Sequence, residues 1–574
     1  MIPASDALTA LVAEAALATG YEGVVAMEPC VPTADPRHGD YQSNFAFRVA
    51  KALKANPREV AGRIVAALPL TDLLAKAPEV AGPGFINFTL SDAWISAQLA
   101  ARAASTTFGT PRPGEGRTMV IDYSSPNIAK RMHVGHLRST VIGNALDRLH
   151  RRLGWTVVAD NHVGDWGTQF GKLIVGWRRW RDEAAYEADP IGELQRLYQL
   201  FGDNAKEDPS LEDVARAETA KLQDGDAENR ALWERFVGAS MIEFESLYQR
   251  LGVKFDVVLG ESAYRDRLGA LVEELKARGV AVDSEGAVII PFDAEDGEGL
   301  VNTPMLIRKR DGAALYGTTD IATLEHRLST WSPELICYVT DTRQQLHFRQ
   351  LFTAARKIFP PIKLQHVWFG ILRLPGGFTA STRAGQVINL VDLIDTAVEH
   401  ARAVVDEKSA HLSAVERAAI AEAIGVGAVK YTDLSQNPQS DVHFDWDRML
   451  AFEGNTAPYL MYAHARCHSI FRKAGLDALP SGPITLSHPL ERELALALLR
   501  VPEAMIQAAH TWRPNAFCDQ MYTVATAFAR FFGECRVLDA EPDVRDSRLA
   551  LCAATARALA VGLDTLGLAA PERL

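Results

Sequence analysis

Two histidines flank a Val-Gly pair at His133-Val134-Gly135-His136. Three apart on a first helical turn, both imidazoles face one side. Gly135 leaves out a side chain where a flat base or a ribose could approach the backbone. The helix N-terminus behind them supplies partial positive charge toward phosphates. This set suits a nucleoside triphosphate losing pyrophosphate, where catalysis is mostly positioning and charge stabilisation. Two helix-capping histidines without a chemical role would show the same spacing, so the flanking elements decide.

The run "TMVIDY" (118–123) alternates and branches like a strand, and "LRSTVIGNALDRLHRRLG" repeats apolar residues at helical spacing up to Gly154. The histidines therefore sit on a strand-to-helix turn, where α/β folds bind phosphates. Elsewhere in 118–400, "WTVVADNHV", "ELICYVT" and "LQHVWFG" are short strand-like runs separated by helical segments. That rhythm predicts a Rossmann-like α/β domain with a parallel sheet over 113–400, carrying a charged helical insertion at about 178–250. "NFAFRVAKALKA", "REVAGRIVAAL" and "GFINFTL" predict an α+β domain over 1–112, closed by the polar linker "TPRPGEGR" (110–117). From 401 to 574 strand patterns vanish, which predicts an all-α bundle.

A chain of 574 residues exceeds one core and suggests about three domains. A net charge of −12 argues against a generally basic nucleic-acid coat protein but leaves room for a local basic track. The six cysteines, Cys30, Cys337, Cys467, Cys518, Cys535 and Cys552, include no CxxC pair and read as buried thiols of a reducing compartment. His162 and Asp165, taken together with His133 and His136, lack closed-zinc ligand spacing, so no metal site is expected. The first twenty residues lack a basic leader, and charges interrupt the apolar C-terminal stretches. The expectation is a cytoplasmic protein with no membrane span.

"SSPNIAKRMHVGHLRST" (124–140) resembles the HIGH signature of class I aminoacyl-tRNA synthetases in the form used by arginyl-tRNA synthetases. The resemblance continues in "GDYQSNFAFRVAKAL" (39–53), "GPGFINF" (82–88), "NHVGDWGTQFG" (161–171), "LYGTTDIATLEHR" (315–327), "YVTDTRQQLHF" (338–348) and "FDWDRMLAFEGNTAPYLMYAHAR" (444–466). Several blocks in order are far more specific than any one. The resemblance implies that L-arginine is activated by ATP to arginyl-adenylate and then passed to the 3'-terminal adenosine of an arginine-accepting tRNA. It also implies Mg²⁺ with the ATP, no tightly bound cofactor, a usually monomeric enzyme, and activation in which bound tRNA can take part.

By the same resemblance, Tyr316, Asp320 and Gln344 match the arginine side-chain pocket, and Ser125, Asn127 and His136 the positions that hold the amino-acid backbone groups. A guanidinium does call for a carboxylate with neutral acceptors. Tyr316 and Asp320 stand four apart at a helix start, and Gln344 follows a strand's carboxyl end. His133, Gly135 and His136 fall to ATP. The second class I signature, KMSKS, aligns with "GGFTASTRAGQVINLVDL" (376–393), where Ser381-Thr382-Arg383 replace its second lysine. A cation must then come from elsewhere: Lys130, three residues before His133, or Arg383. Tyr459 and Tyr462 match the anticodon-reading tyrosines, although their spacing alone equally describes a buried stripe. Phe85 and Asn87 match positions that meet the tRNA D-loop in some relatives. Two other readings use the same residues: a tRNA-binding paralogue that has lost activation, and a nucleotidylyltransferase, which would not need the flanking domains.

Overall fold

The computed structural model describes residues 2–69, 71–297, 299–373 and 388–574. Ser381, Thr382 and Arg383 lie outside the described residues. Two compact units are present: one comprises 1–113, 409–416 and 451–574, the other 114–408 and 417–450. Residues 417–450 thus cluster with the second unit, beyond the boundary expected near 400.

In the first unit, helices α1 (Ala4–Ala18), α2 (Phe45–Leu53), α3 (Pro57–Ala67) and α4 (Asp92–Ala104) accompany strands β1 (Val31–Pro32), β2 (Tyr41–Ser43), β3 (Glu79–Ala81) and β4 (Phe85–Phe88). These strands form an antiparallel sheet of order β1-β2-β4-β3. Sequence pattern exposed only β4, because a strand of two or three residues is too short to show alternation.

The second unit holds five parallel strands: β5 (Thr118–Asp122), β6 (Thr156–Asn161), β7 (Val257–Val258), and, beyond a three-stranded antiparallel sheet of β8 (Val282–Ser284), β9 (Ala287–Ile290) and β10 (Met305–Arg308), the strands β11 (Leu335–Asp341) and β12 (Lys363–Phe369). Their order is β12-β11-β5-β6-β7. Helix α5 (Val134–Arg152) links β5 to β6. Between β6 and β7 run α6 (Thr168–Trp180), α7 (Glu183–Ala188), α8 (Pro190–Glu207), α9 (Ser210–Asp224) and α10 (Ala227–Leu251). Helix α11 (Arg265–Ala277) follows β7, α12 (Tyr316–Trp331) precedes β11, and α13 (Gln345–Ile358) follows it. The chain leaves β5 toward β6 on one side and pairs with β11 on the other, so the strand order reverses between β5 and β11. Ligands of open parallel sheets bind at the carboxyl ends of such a pair. Val120, Ile307, Leu324, Ile336 and Leu351 belong to the buried core beneath.

Short β13 (Leu372–Arg373) pairs in parallel with β14 (Val442–His443), so strands do continue past 401. Helices α14 (Leu390–Lys408) and α15 (Ala414–Leu434) lie between them, and α16 (Trp446–Met449) follows. The remaining helices, α17 (Ala457–Lys473), α18 (Pro489–Leu499), α19 (Val501–Thr511), α20 (Pro514–Glu534) and α21 (Pro542–Thr565), complete the first unit as a bundle against α4.

Candidate active site

The turn after β5 is held in a conformation few residues adopt. Ser124, Ser125 and Ala129 have φ of 74°, 49° and 61°, a left-handed region that side chains disfavour and that clusters at functional sites. Side chains from four elements fix it. Ser124 N–H donates to Ser139 Oγ (2.9 Å), and Ser139 Oγ–H to the Val339 carbonyl (2.6 Å). Ser125 N–H donates to Asn161 Oδ1 (3.0 Å), and its hydroxyl to Asp122 (3.0 Å). Asn127 pairs with Gly164, where a Cβ would stand 2.3 Å from Asn127 Oδ1. A side chain at 164 would therefore displace the Asn127 amide from its place. Below the turn, fully buried Arg327 donates to Asp122 (2.6 Å) and Asp160 (2.8 Å).

His133 is the N-cap of α5, and both imidazoles cap the helix. His133 Nδ1 accepts from Gly135 N–H (3.0 Å), and His136 Nδ1 from His133 N–H (3.1 Å). An Nδ1 that accepts carries no proton, so in each neutral ring the proton sits on Nε2. Burial, with His133 and Lys130 adding, pushes His136 down to about 3. Burial, with Arg343 and then Lys130, also lowers His133. The capping and chemical readings are therefore not alternatives. The caps fix the tautomers and leave two neutral Nε2–H donors available for phosphate oxygens. His133 pairs with Asn389, Val134 N–H donates to the Ile388 carbonyl (3.1 Å), and Leu390 N–H to Met132 (2.8 Å). The described end of the KMSKS-like segment thus meets the histidine turn.

Tyr316 opens α12, and Asp320 lies one turn along. Asp320 Oδ2 stands 2.5 Å from His347 Nε2, and the Tyr316 ring 4.8 Å from the His347 ring. Tyr316 is 64% exposed, so this side of the pocket is open. Glu261, in the turn after β7, has its carboxyl pushed up to about 7 by burial and by facing Asp320 and Asp165. Carboxylates that hinder one another's ionisation make a receptor for a cation. Gln344 closes the turn Thr342–Gln344 after β11 and is exposed. Glu261, His347 and Arg343 escaped sequence reasoning. His347 carries a helical-spacing signal, three residues beyond Gln344, whereas Glu261 comes from a loop distant in sequence. Asp165 accepts from Ser262 N–H and Oγ–H (2.8 and 2.6 Å).

In the bundle, Tyr459 and Tyr462 do not form a buried stripe. Tyr459 is half-buried, its ring 5.7 Å from Tyr522. Tyr462 is exposed, accepts from Arg466, and lies 4.7 Å beneath its guanidinium. Tyr462 lines a groove of about 660 Å³ with Arg466, Arg472, Lys473, Phe532 and Arg536. Phe85 is half-buried against Phe47 (4.8 Å), while Asn87 is buried in β4. All six cysteines are buried. Among the described residues no helix is long and apolar enough to cross a membrane.

A five-stranded parallel sheet with a capped histidine pair at its reversal point defines the nucleotide-binding fold of class I tRNA synthetases. The family "tRNA synthetases class I (R), catalytic domain" matches residues 99–446, "Arginyl tRNA synthetase N terminal domain" 6–90, and "DALR anticodon binding domain" 460–574. The Arginine--tRNA ligase of Fusobacterium nucleatum is 46% identical over 92% of both chains, and that of Chloroflexus aggregans 44% over 98% of both. The arginyl-tRNA synthetase structure from Thermus thermophilus superposes at a TM-score of 0.84 and 25% identity over 99% of this chain and 100% of that one. The Plasmodium falciparum structure superposes at 0.83 and 27% over 99% of both. The chain belongs to the arginyl-tRNA synthetase family.

Proposed function

We propose that the chain activates L-arginine with ATP–Mg²⁺ at the β5/β11 reversal point and passes the arginyl group to the 3'-terminal adenosine of its tRNA. The observation that carries this is the pair of neutral Nε2–H donors, held by backbone caps, at the carboxyl end of β5. The arginine carboxylate attacks the α-phosphorus in line, a P–O bond forms, and pyrophosphate leaves with the electron pair of the broken bond. His133 and His136 donate to phosphate oxygens as charge develops, without changing protonation state. Ser125, Asn127 and His136 hold the amino-acid backbone groups; Tyr316, Asp320, Gln344 and Glu261 hold the guanidinium. A site built around paired carboxylates rejects analogues that leave them unpaired. Tyr459 and Tyr462 stack bases of the anticodon loop, and Phe85 and Asn87 meet the tRNA D-loop. The enzyme acts as a cytoplasmic monomer.

Lys130, whose charge bears on both histidines, supplies the cation missing from the KMSKS-like segment. Lys130→Ala should slow arginyl-adenylate formation by about tenfold or more, at least as strongly as Arg383→Ala. An unchanged single-turnover rate for Lys130→Ala would remove this assignment.

A further inference from the structure

Three consecutive residues of the turn leading into the histidines are each held by the helices between β6 and β7. Ala129 N–H, at a left-handed φ, donates to Ser240 Oγ on α10 (2.9 Å). The Lys130 ammonium lies 5.1 Å from the centre of the Tyr198 ring on α8. Arg131 pairs with Asp189, which also caps α8 by accepting from Gly192 N–H (3.1 Å). Glu243 on α10 faces the same pair: burial raises its carboxyl, Arg131 opposes the rise and Asp189 adds to it.

The Asp189 side chain is 52% exposed and that of Arg131 24%. Solvent screens such a pair, so it adds little to stability. Its consequence is geometric. Arg131 anchored to the start of α8 fixes the backbone next to Lys130, and the Tyr198 face gives the ammonium a resting place. A contact of that kind is weak at an exposed site, so the ring orients the ammonium without holding it back from a polyphosphate. Misplacement by about 1 Å of a group that stabilises charge is enough to slow a reaction by orders of magnitude.

We propose that the helical crossover between β6 and β7 sets the position of the phosphate-facing cation, with Asp189 as a positioning residue that acts through Arg131 on Lys130. The inference rests on the reading of Lys130 given above. Asp189→Asn tests it, because asparagine caps a helix as well as aspartate does, so that only the ion pair is lost and Arg131 is left facing Glu243 alone. In the full-length enzyme with arginine-accepting tRNA, pyrophosphate exchange should show KM for ATP raised about three- to tenfold with KM for arginine unchanged. Added to Lys130→Ala, Asp189→Asn should do no further harm, since residues acting through one another are non-additive. Multiplying effects, an unchanged KM for ATP, or the lowered KM expected if Asp189 merely neutralises Arg131 would each overturn the inference. An intact exchange rate in Lys130→Ala would overturn the Lys130 reading and the inference with it. An impaired Lys130→Ala beside an unaffected Asp189→Asn would overturn the inference alone. Tyr198 provides a second pair: Tyr198→Leu should raise KM for ATP, whereas Tyr198→Phe, which keeps the ring face, should not, and equal behaviour of the two would contradict the inference.

Discussion

At the scale of single residues, the chemistry rests on which nitrogen of each imidazole is spoken for. Backbone amides occupy both Nδ1 atoms, and burial lowers both rings, His136 to about 3. The arginine pocket works by the opposite device, an excess of negative charge. Glu261 sits at about 7 because burial and the carboxylates of Asp320 and Asp165 disfavour its charged form. A bound guanidinium favours that charged form, so its pKa falls on binding. The sign follows: near pH 7 arginine binding releases protons, and affinity rises with pH through this range and levels off above it. Calorimetry at pH 7 in two buffers of different ionisation enthalpy should therefore give different heats. Glu261→Gln should abolish that difference and weaken binding by about tenfold or more, the worth of a hydrogen bond to a charged group. Equal heats for the native enzyme would contradict the assignment. The His133–His136 spacing announced a phosphate site in the sequence, and resemblance supplied Tyr316, Asp320 and Gln344. Glu261 and Arg343 stayed hidden because a single charged loop residue has no periodicity or spacing, and only the sheet order brings it to the site.

At the scale of elements, α5 is the piece that everything else must hold still. Its Arg138 is buried, donating to Asp433 on α15 (2.9 Å) and to the carbonyls of Ser440 (2.9 Å) and Pro438 (3.2 Å). This ties the helix behind the histidines to the chain around β14. Removing one partner of a buried pair leaves an uncompensated charge, so Arg138→Met should destabilise this unit by about 3–5 kcal/mol, read as a lower urea midpoint. A midpoint within error of the native one would show that α5 is anchored elsewhere. The strand–helix alternation from β5 to β12 was legible because a parallel sheet needs long apolar strands and a crossover after each. β7, β13 and β14 were not, since two residues make a pair without making a pattern. The helices of 178–250 were legible as helices, but their contacts with the histidine turn were not, because Ser240, Tyr198 and Asp189 are unremarkable where they stand in the sequence.

At the scale of the whole molecule, chain length indicated about three domains, and the family matches follow three segments, yet contacts divide the chain into two units. The N-terminal sheet and the C-terminal bundle share one of them through hydrogen bonds and ion pairs. Glu503 at the start of α19 accepts from Tyr41 (3.0 Å) and from Ser5 N–H (3.0 Å), and Arg492 on α18 pairs with Asp40 (2.7 Å) and Asp92 (2.8 Å). No sequence pattern reveals such a union, because its partners lie at opposite ends of the chain. It places the residues assigned to the tRNA D-loop and those assigned to the anticodon loop in one compact unit. The central claim, that this chain couples arginine to ATP and then to tRNA, is tested most directly by arginine-dependent exchange of labelled pyrophosphate into ATP, with and without arginine-accepting tRNA. The account predicts exchange that requires arginine and proceeds in the presence of that tRNA. Tight tRNA binding with no exchange under either condition would contradict it and leave a tRNA-binding protein without activation chemistry.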